Sequence, residues 1–297
     1  MTYDKLIKFD EVRNNNIKSF FLFVLFLLMI VGLGYIAGLF MGNILGGIIL
    51  TVIFGLIYSG ISYFQGRNMV MSTMGAEEVS KKDYTFLHNT VEGLAIAADI
   101  PKPKVYVVES KAPNAFATGR NPEDGAVAVT TGLLEKLERE EVEGVIAHEI
   151  AHIKNNDIKT MMIAAVMVGI VVLLSDVIMH SMIWGGGRSD DRGGAILFII
   201  GIVLAILAPI IAQIIKLAVS RKREYAADAK GAILNRNPKA LADALRKISG
   251  DGEEFDRSNR ATNHLLISMP ANETSRFSSL FSTHPPIQDR IDRLEAM

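Results

Sequence analysis

Cysteine is missing altogether from the 297-residue chain, so no disulfide braces it and no thiolate can bind a metal; any ion must be held by His, Asp or Glu. Such a chain needs no oxidising compartment. A surplus of basic charge is missing too, with 31 Lys and Arg against 32 Asp and Glu and a net charge of -1. Both signs are mixed along the polar parts, leaving no stripe to track a phosphate backbone, which argues against nucleic acid as a partner. Charge of either sign is also absent from two long stretches, and that absence is the first positive signal.

Residues 19–40 and 44–64 are runs of Phe, Leu, Ile, Val, Met and Gly without a charged side chain. As a helix, each is long enough to cross a hydrocarbon core of about 30 Å. A turn at 41–43 joins them. A third run, 158–184, is interrupted by Lys159, Asp176 and His180, and a fourth, 195–219, contains Pro209 and Lys216. The polar arm ahead of the first run and the second run close behind it favour an anchor over a cleavable signal peptide. Basic residues flank the runs on one side: Lys5, Lys8, Arg13 and Lys18 before the first, Arg67, Lys81 and Lys82 after the second, and Arg221, Lys222 and Arg223 after the fourth. In the loop 185–194, Arg188 and Arg192 are offset by Asp190 and Asp191. The excess predicts a multi-pass protein of the plasma membrane with both termini and residues 65–157 in the cytoplasm.

Val145 to His152 contains the pattern H-E-x-x-H. On a helix, positions i and i+4 share a face, so His148 and His152 can turn toward one ion and leave Glu149 beside it as a general base. Val142, Val145, Ile146, Ile150 and Ile153 recur at helical spacing, and Glu138, Glu140 and Glu141 suit the first turn. The pattern arises by accident in on the order of one chain in a hundred, so it needs a confirming third ligand. Catalytic zinc sites use three protein ligands, with His, His, Glu among the usual sets. Glu224, in Arg-Glu-Tyr-Ala-Ala-Asp, is the candidate, and Asp228 one turn later can accept a hydrogen bond from a ligand imidazole. His152 precedes the third run and Glu224 follows the fourth, so two crossings between them return the chain to the same face.

These residues resemble the HtpX-type membrane zinc metalloproteases, relatives of the CAAX prenyl endopeptidases within the gluzincins. The resemblance extends to Asn-Asn-Asp at 155–157, Pro-Asn-Ala-Phe-Ala-Thr-Gly at 113–119 and Ser-Thr-His-Pro-Pro at 282–286. It implies one zinc ion per chain, cleavage of membrane proteins or peptides, often damaged ones, and a role in envelope quality control. It also places His284 near the site as a second donor to the oxyanion, while Pro285 and Pro286 suit the start of a helix through Ile287, Ile291 and Leu294. Asn114 and Ala115 match an Asn-Ala that in gluzincins lies on an edge strand to which substrate adds as a further strand.

Strands are expected at 104–110 and 126–131, the latter alternating Val with Ala before a helix at Thr131 or Gly132. Residues 250–283, polar and poor in apolar anchors, read as a mobile surface loop that gates the cleft. The expected fold is an α+β zinc metalloprotease domain, mainly helical, combined with four transmembrane helices. Its parts are an arm and hairpin over 1–64, a catalytic part over 65–157 with the H-E-x-x-H helix, a second hairpin over 158–219, and a part over 220–297 with the third ligand and C-terminal helices. Homo-oligomers are compatible with this layout. The competing reading is a metal-conducting or transporting membrane protein, whose charged groups belong at mid-membrane; the first two runs have none.

Overall fold

The computed structural model describes residues 42–169, 221–253 and 285–297, together with isolated positions between 24 and 38 and at 255, 262 and 265–267. The fourth apolar run, most of the third and His284 lie outside the described residues.

Helix α1 spans Ile44–Thr73, with the Asn43 side chain accepting from Gly46 N–H at 2.9 Å to start it. It outruns the expected 44–64 because nothing in Gln65–Thr73 stops a helix, and its last two turns have a new use. Up to Phe64 its surface is apolar on nearly every side, with Leu45, Ile49, Leu50, Phe54, Ile57 and Phe64 exposed. Beyond that, Val70, Met71 and Met74 are buried against the sheet. Among the described residues α1 is the one helix long and apolar enough to cross a membrane. Near its start, a Cβ on Gly47 would lie 2.4 Å from Gly38 N and 2.6 Å from Gly34 O, so only glycines allow this approach between the first two apolar runs.

Strand β1 (Ala76–Glu78), helix α2 (Thr85–Ala98), strands β2 (Lys104–Val108), β3 (Ala115–Thr118) and β4 (Ala126–Thr130), and the short helix α3 (Thr131–Lys136) follow. The sheet order is β1-β2-β4-β3, with β2 parallel to β4 and β3 antiparallel to β4 at the edge. Both faces are covered, which is why β4 alternates Val with Ala rather than apolar with polar. Val105, Val107, Ala115, Ala117, Val127 and Val129 face a helical core. Tyr106, Val108, Phe116, Ala126 and Ala128 face the end of α1 and part of the third apolar run.

Helix α4 (Arg139–Lys154) carries the H-E-x-x-H pattern. Its start is fixed by Glu141, whose carboxylate accepts from Glu138 N–H at 2.7 Å. Asn155 and left-handed Asn156 (φ 58°) turn the chain into helix α5, described over 157–169. Ile158, Met162, Ala164 and Val168 on α5 are buried. Helices α6 (Arg221–Asn235), α7 (Pro238–Gly250) and α8 (Ile287–Glu295) complete the described elements.

The reading of 250–283 as a loop poor in apolar anchors is corrected where the segment is described: Phe255, Leu265, Leu266 and Ile267 are all buried. Short apolar clusters carry no periodicity, so their burial was not visible in the sequence.

Candidate metal centre

One face of α4 packs on the sheet and the other receives α6. The approach is close: a Cβ on Gly231 would lie 2.9 Å from His148 N. Glycine there lets α6 bring Glu224, two turns earlier, to the imidazoles. His148 Nε2 and His152 Nε2 stand 3.1 Å apart, and Glu224 oxygens lie 3.8 Å from the first and 3.6 Å from the second. The donor atoms around a tetrahedral ion with bonds of 2.0–2.2 Å stand about 3.3 to 3.6 Å apart, so shifts of about 0.2 Å would bring these three side chains onto one metal ion. All three side chains are buried.

The far side of each imidazole is occupied. His148 Nδ1 meets Asp228 Oδ1 at 2.9 Å, and His152 Nδ1 meets Asp157 Oδ2 at 3.1 Å. Each carboxylate holds a proton on Nδ1 and leaves the Nε2 lone pair facing the shared space. Burial alone would raise the Asp228 carboxyl, but Arg290 and His148 outweigh it and hold it below the ordinary range. Arg290, fully buried, makes a two-pronged contact with Asp228 at 2.9 and 2.7 Å. Asp157 also faces Arg223 at 3.7 Å.

Electrostatics separate the two imidazoles in the ion-free protein. Burial lowers the pKa of His148 despite Asp228. For His152 burial pulls the same way, but the Asp157 hydrogen bond and the charges of Glu224, Asp157 and Glu149 carry it up to about 9. Glu149 is raised to about 7, chiefly by burial, while the Ala117 backbone hydrogen-bonds its carboxylate.

The structure therefore brings together His148, Glu149, His152, Glu224 and Asp228. It places Asn114 just before and Ala115 at the start of edge strand β3, whose Ala117 backbone meets Glu149. Sequence reasoning gave no role to Asp157 or Arg290. The available signal for Arg290 was a charged residue inside the apolar stripe Ile287, Ile291 and Leu294, a core-facing position that a solvated Arg does not take.

Comparison with known proteins agrees with this geometry. The profile of peptidase family M48 matches residues 81–297. The protease HtpX homolog of Thermoanaerobacter pseudethanolicus is 45% identical over 293 residues, covering 97% of each chain. That of Listeria monocytogenes serotype 4a is 44% identical over 302 residues, covering 97% of this chain and 99% of the relative. Among solved structures, S. mikatae Ste24p is similar over 96% of this chain and 67% of that one, at 20% identity and a TM-score of 0.49. With a profile matched over most of its length and relatives this similar from end to end, the chain belongs to peptidase family M48.

Proposed function

We propose that His148, His152 and Glu224 hold one zinc ion and that Glu149 is the general base of peptide-bond hydrolysis. The chain is a membrane metalloprotease, as its family and its protease relatives indicate. The observation that carries the finer assignment is the buried convergence of these three donors, with Glu149 on the same helix beside them.

When bound, zinc supplies Lewis acidity, lowering the pKa of water from 15.7 towards about 7 and polarising a carbonyl. Glu149 takes the proton of the attacking water and returns one to the leaving amine; a pKa of about 7, set chiefly by burial, suits both transfers at neutral pH. The Ala117 backbone orients that carboxyl from β3. Asp228 and Asp157 hold the imidazoles in the tautomer that coordinates. Asn114 and Ala115 offer an extended substrate a backbone edge, a mode that tolerates many sequences. His284 remains the proposed second donor to the oxyanion on the strength of the family resemblance.

The substrates proposed are membrane proteins or peptides, including damaged ones, cleaved in envelope quality control. The further proposals are four crossings and a site facing the cytoplasm of the plasma membrane. Supporting them are the basic flanks of the apolar runs and the continuity of α1 from an exposed apolar half into the sheet. The transport reading finds no support, because the donor cluster sits on helices packed against the sheet and not along the apolar half of α1.

The test is metal content and peptide hydrolysis of wild type beside Glu149→Gln. The variant should keep about one zinc per chain and lose roughly 10²- to 10⁴-fold in rate. Wild-type turnover by the variant would remove Glu149 from the mechanism.

A further inference from the structure

The outer edge of β3 already carries a piece of this chain. Ile267 N–H donates to Ala115 O at 3.1 Å and lies 3.2 Å from Asn114 Oδ1. Its own carbonyl accepts from Arg290 Nη1 at 3.3 Å. Its side chain is buried in the core on the α4 face of the sheet, while Leu266 is buried on the opposite face. Both residues lie in a bend and not in a strand, but the Ile267 amide takes the edge position that the first pairing of an added strand would use.

The position along β3 is what matters. Ala115 and Ala117 point the same way, and Ala117 is the backbone partner of the Glu149 carboxylate. Ile267 is therefore bound two residues along the same edge from the proposed general base, about 6.6 Å at strand spacing. A substrate that adds to this edge next to Glu149 meets Ile267 in place.

We propose that Leu266 and Ile267 are a built-in occupant of the substrate-strand position, an autoinhibitory contact, and that a substrate gains β3 by displacing them. The site Ile267 vacates takes over the incoming residue: N–H to Ala115 O, carbonyl to Arg290, and a branched apolar side chain in the core. The enzyme thus favours a residue of that shape at this subsite, and its apparent affinity for substrate is lowered by the fraction of molecules in which Ile267 is seated. This rests on the edge-strand reading of Asn114 and Ala115 given above.

The test uses the full-length, zinc-loaded enzyme in detergent with an internally quenched peptide substrate. Ile267→Gly, which loosens the occupant, should lower KM by roughly three- to tenfold with kcat unchanged, and Ile267→Val should restore a KM close to wild type. A capped peptide of residues 263–269 should inhibit competitively, and N-methylation at its Ile should abolish that inhibition by removing the donor to Ala115 O. A zinc-bound, active Ile267→Gly enzyme with unchanged or higher KM overturns the proposal. So does a peptide that fails to inhibit, or inhibits equally with and without the methyl; this arm decides if the variant does not fold. Hydrolysis by wild type that does not depend on Glu149 would instead strike the hydrolase reading itself, which keeps the two failures apart.

Discussion

Replacing Gly231 with Ala adds one methyl group where α6 meets α4. That Cβ would lie 2.9 Å from His148 N and 3.1 Å from both Ala147 C and His148 Cα, whereas ordinary contact begins at 3.4 Å. All three neighbours are backbone atoms, so no flexible side chain can yield, and α6 must retreat by about 0.5 Å (3.4 minus 2.9). The same helix carries Glu224 and Asp228, and metal ligands tolerate displacements of only about 0.2 Å. Overpacking costs about 1–3 kcal/mol, and the better helix propensity of Ala returns about 1. Stability of the ion-free protein should therefore fall by about 0–2 kcal/mol, while zinc affinity drops roughly 10- to 100-fold, as when a ligand loses its support. Zinc competition against a chelator and thermal unfolding measure the two effects. Gly93→Ala on α2, where nothing lies within 4 Å of the new Cβ, is the control and should leave zinc affinity unchanged. Wild-type zinc affinity in Gly231→Ala would refute the claim that this contact sets the position of Glu224.

Asp228→Ala removes the two-pronged partner of buried Arg290 and leaves it the longer contact to Glu224 at 3.8 Å, so denaturant unfolding should show a loss of up to about 3–5 kcal/mol; a loss below about 1 kcal/mol would mean that Glu224 alone compensates the charge. Zinc uptake should release about one proton at pH 8, because the pKa of His152 stands at about 9 in the ion-free protein and coordination requires the neutral ring. It follows that zinc affinity weakens by up to about tenfold for each pH unit below 9; titration calorimetry in two buffers of different ionisation enthalpy counts the proton, and none released contradicts the assignment. Leu50→Arg, on the exposed apolar part of α1, should lower membrane insertion by about 2.5–3.5 kcal/mol in a glycosylation-reporter assay, provided α1 spans the bilayer. Ile96→Arg, equally exposed but on α2, should have no such effect.

The convergence of His148, His152 and Glu224 was legible in the sequence because a helix fixes i and i+4 on one face, and because Glu224 follows the apolar runs that His152 precedes. The strand at 126–130 was legible because Val alternates with Ala there, and that at 104–108 because Val-Tyr-Val-Val is a short run of strand-forming residues, although it ends two residues before the expected 110. What was not legible depended on contacts far apart in the chain. Arg290 is 62 residues from Asp228 and meets it only because α8 packs against α6. Ile267 reaches Ala115 across the fold, and nothing local to either residue announces that pairing. Asp157 lies five residues beyond His152, and it faces that ring only because left-handed Asn156 turns the chain between them.

The central claim is that one ion sits among His148, His152 and Glu224, and anomalous scattering measured at the zinc absorption edge from crystals of the full-length protein tests it most directly. A single strong peak within about 2.2 Å of both Nε2 atoms and a Glu224 oxygen is the predicted result. A peak elsewhere, or none in protein that carries zinc by elemental analysis, would contradict it.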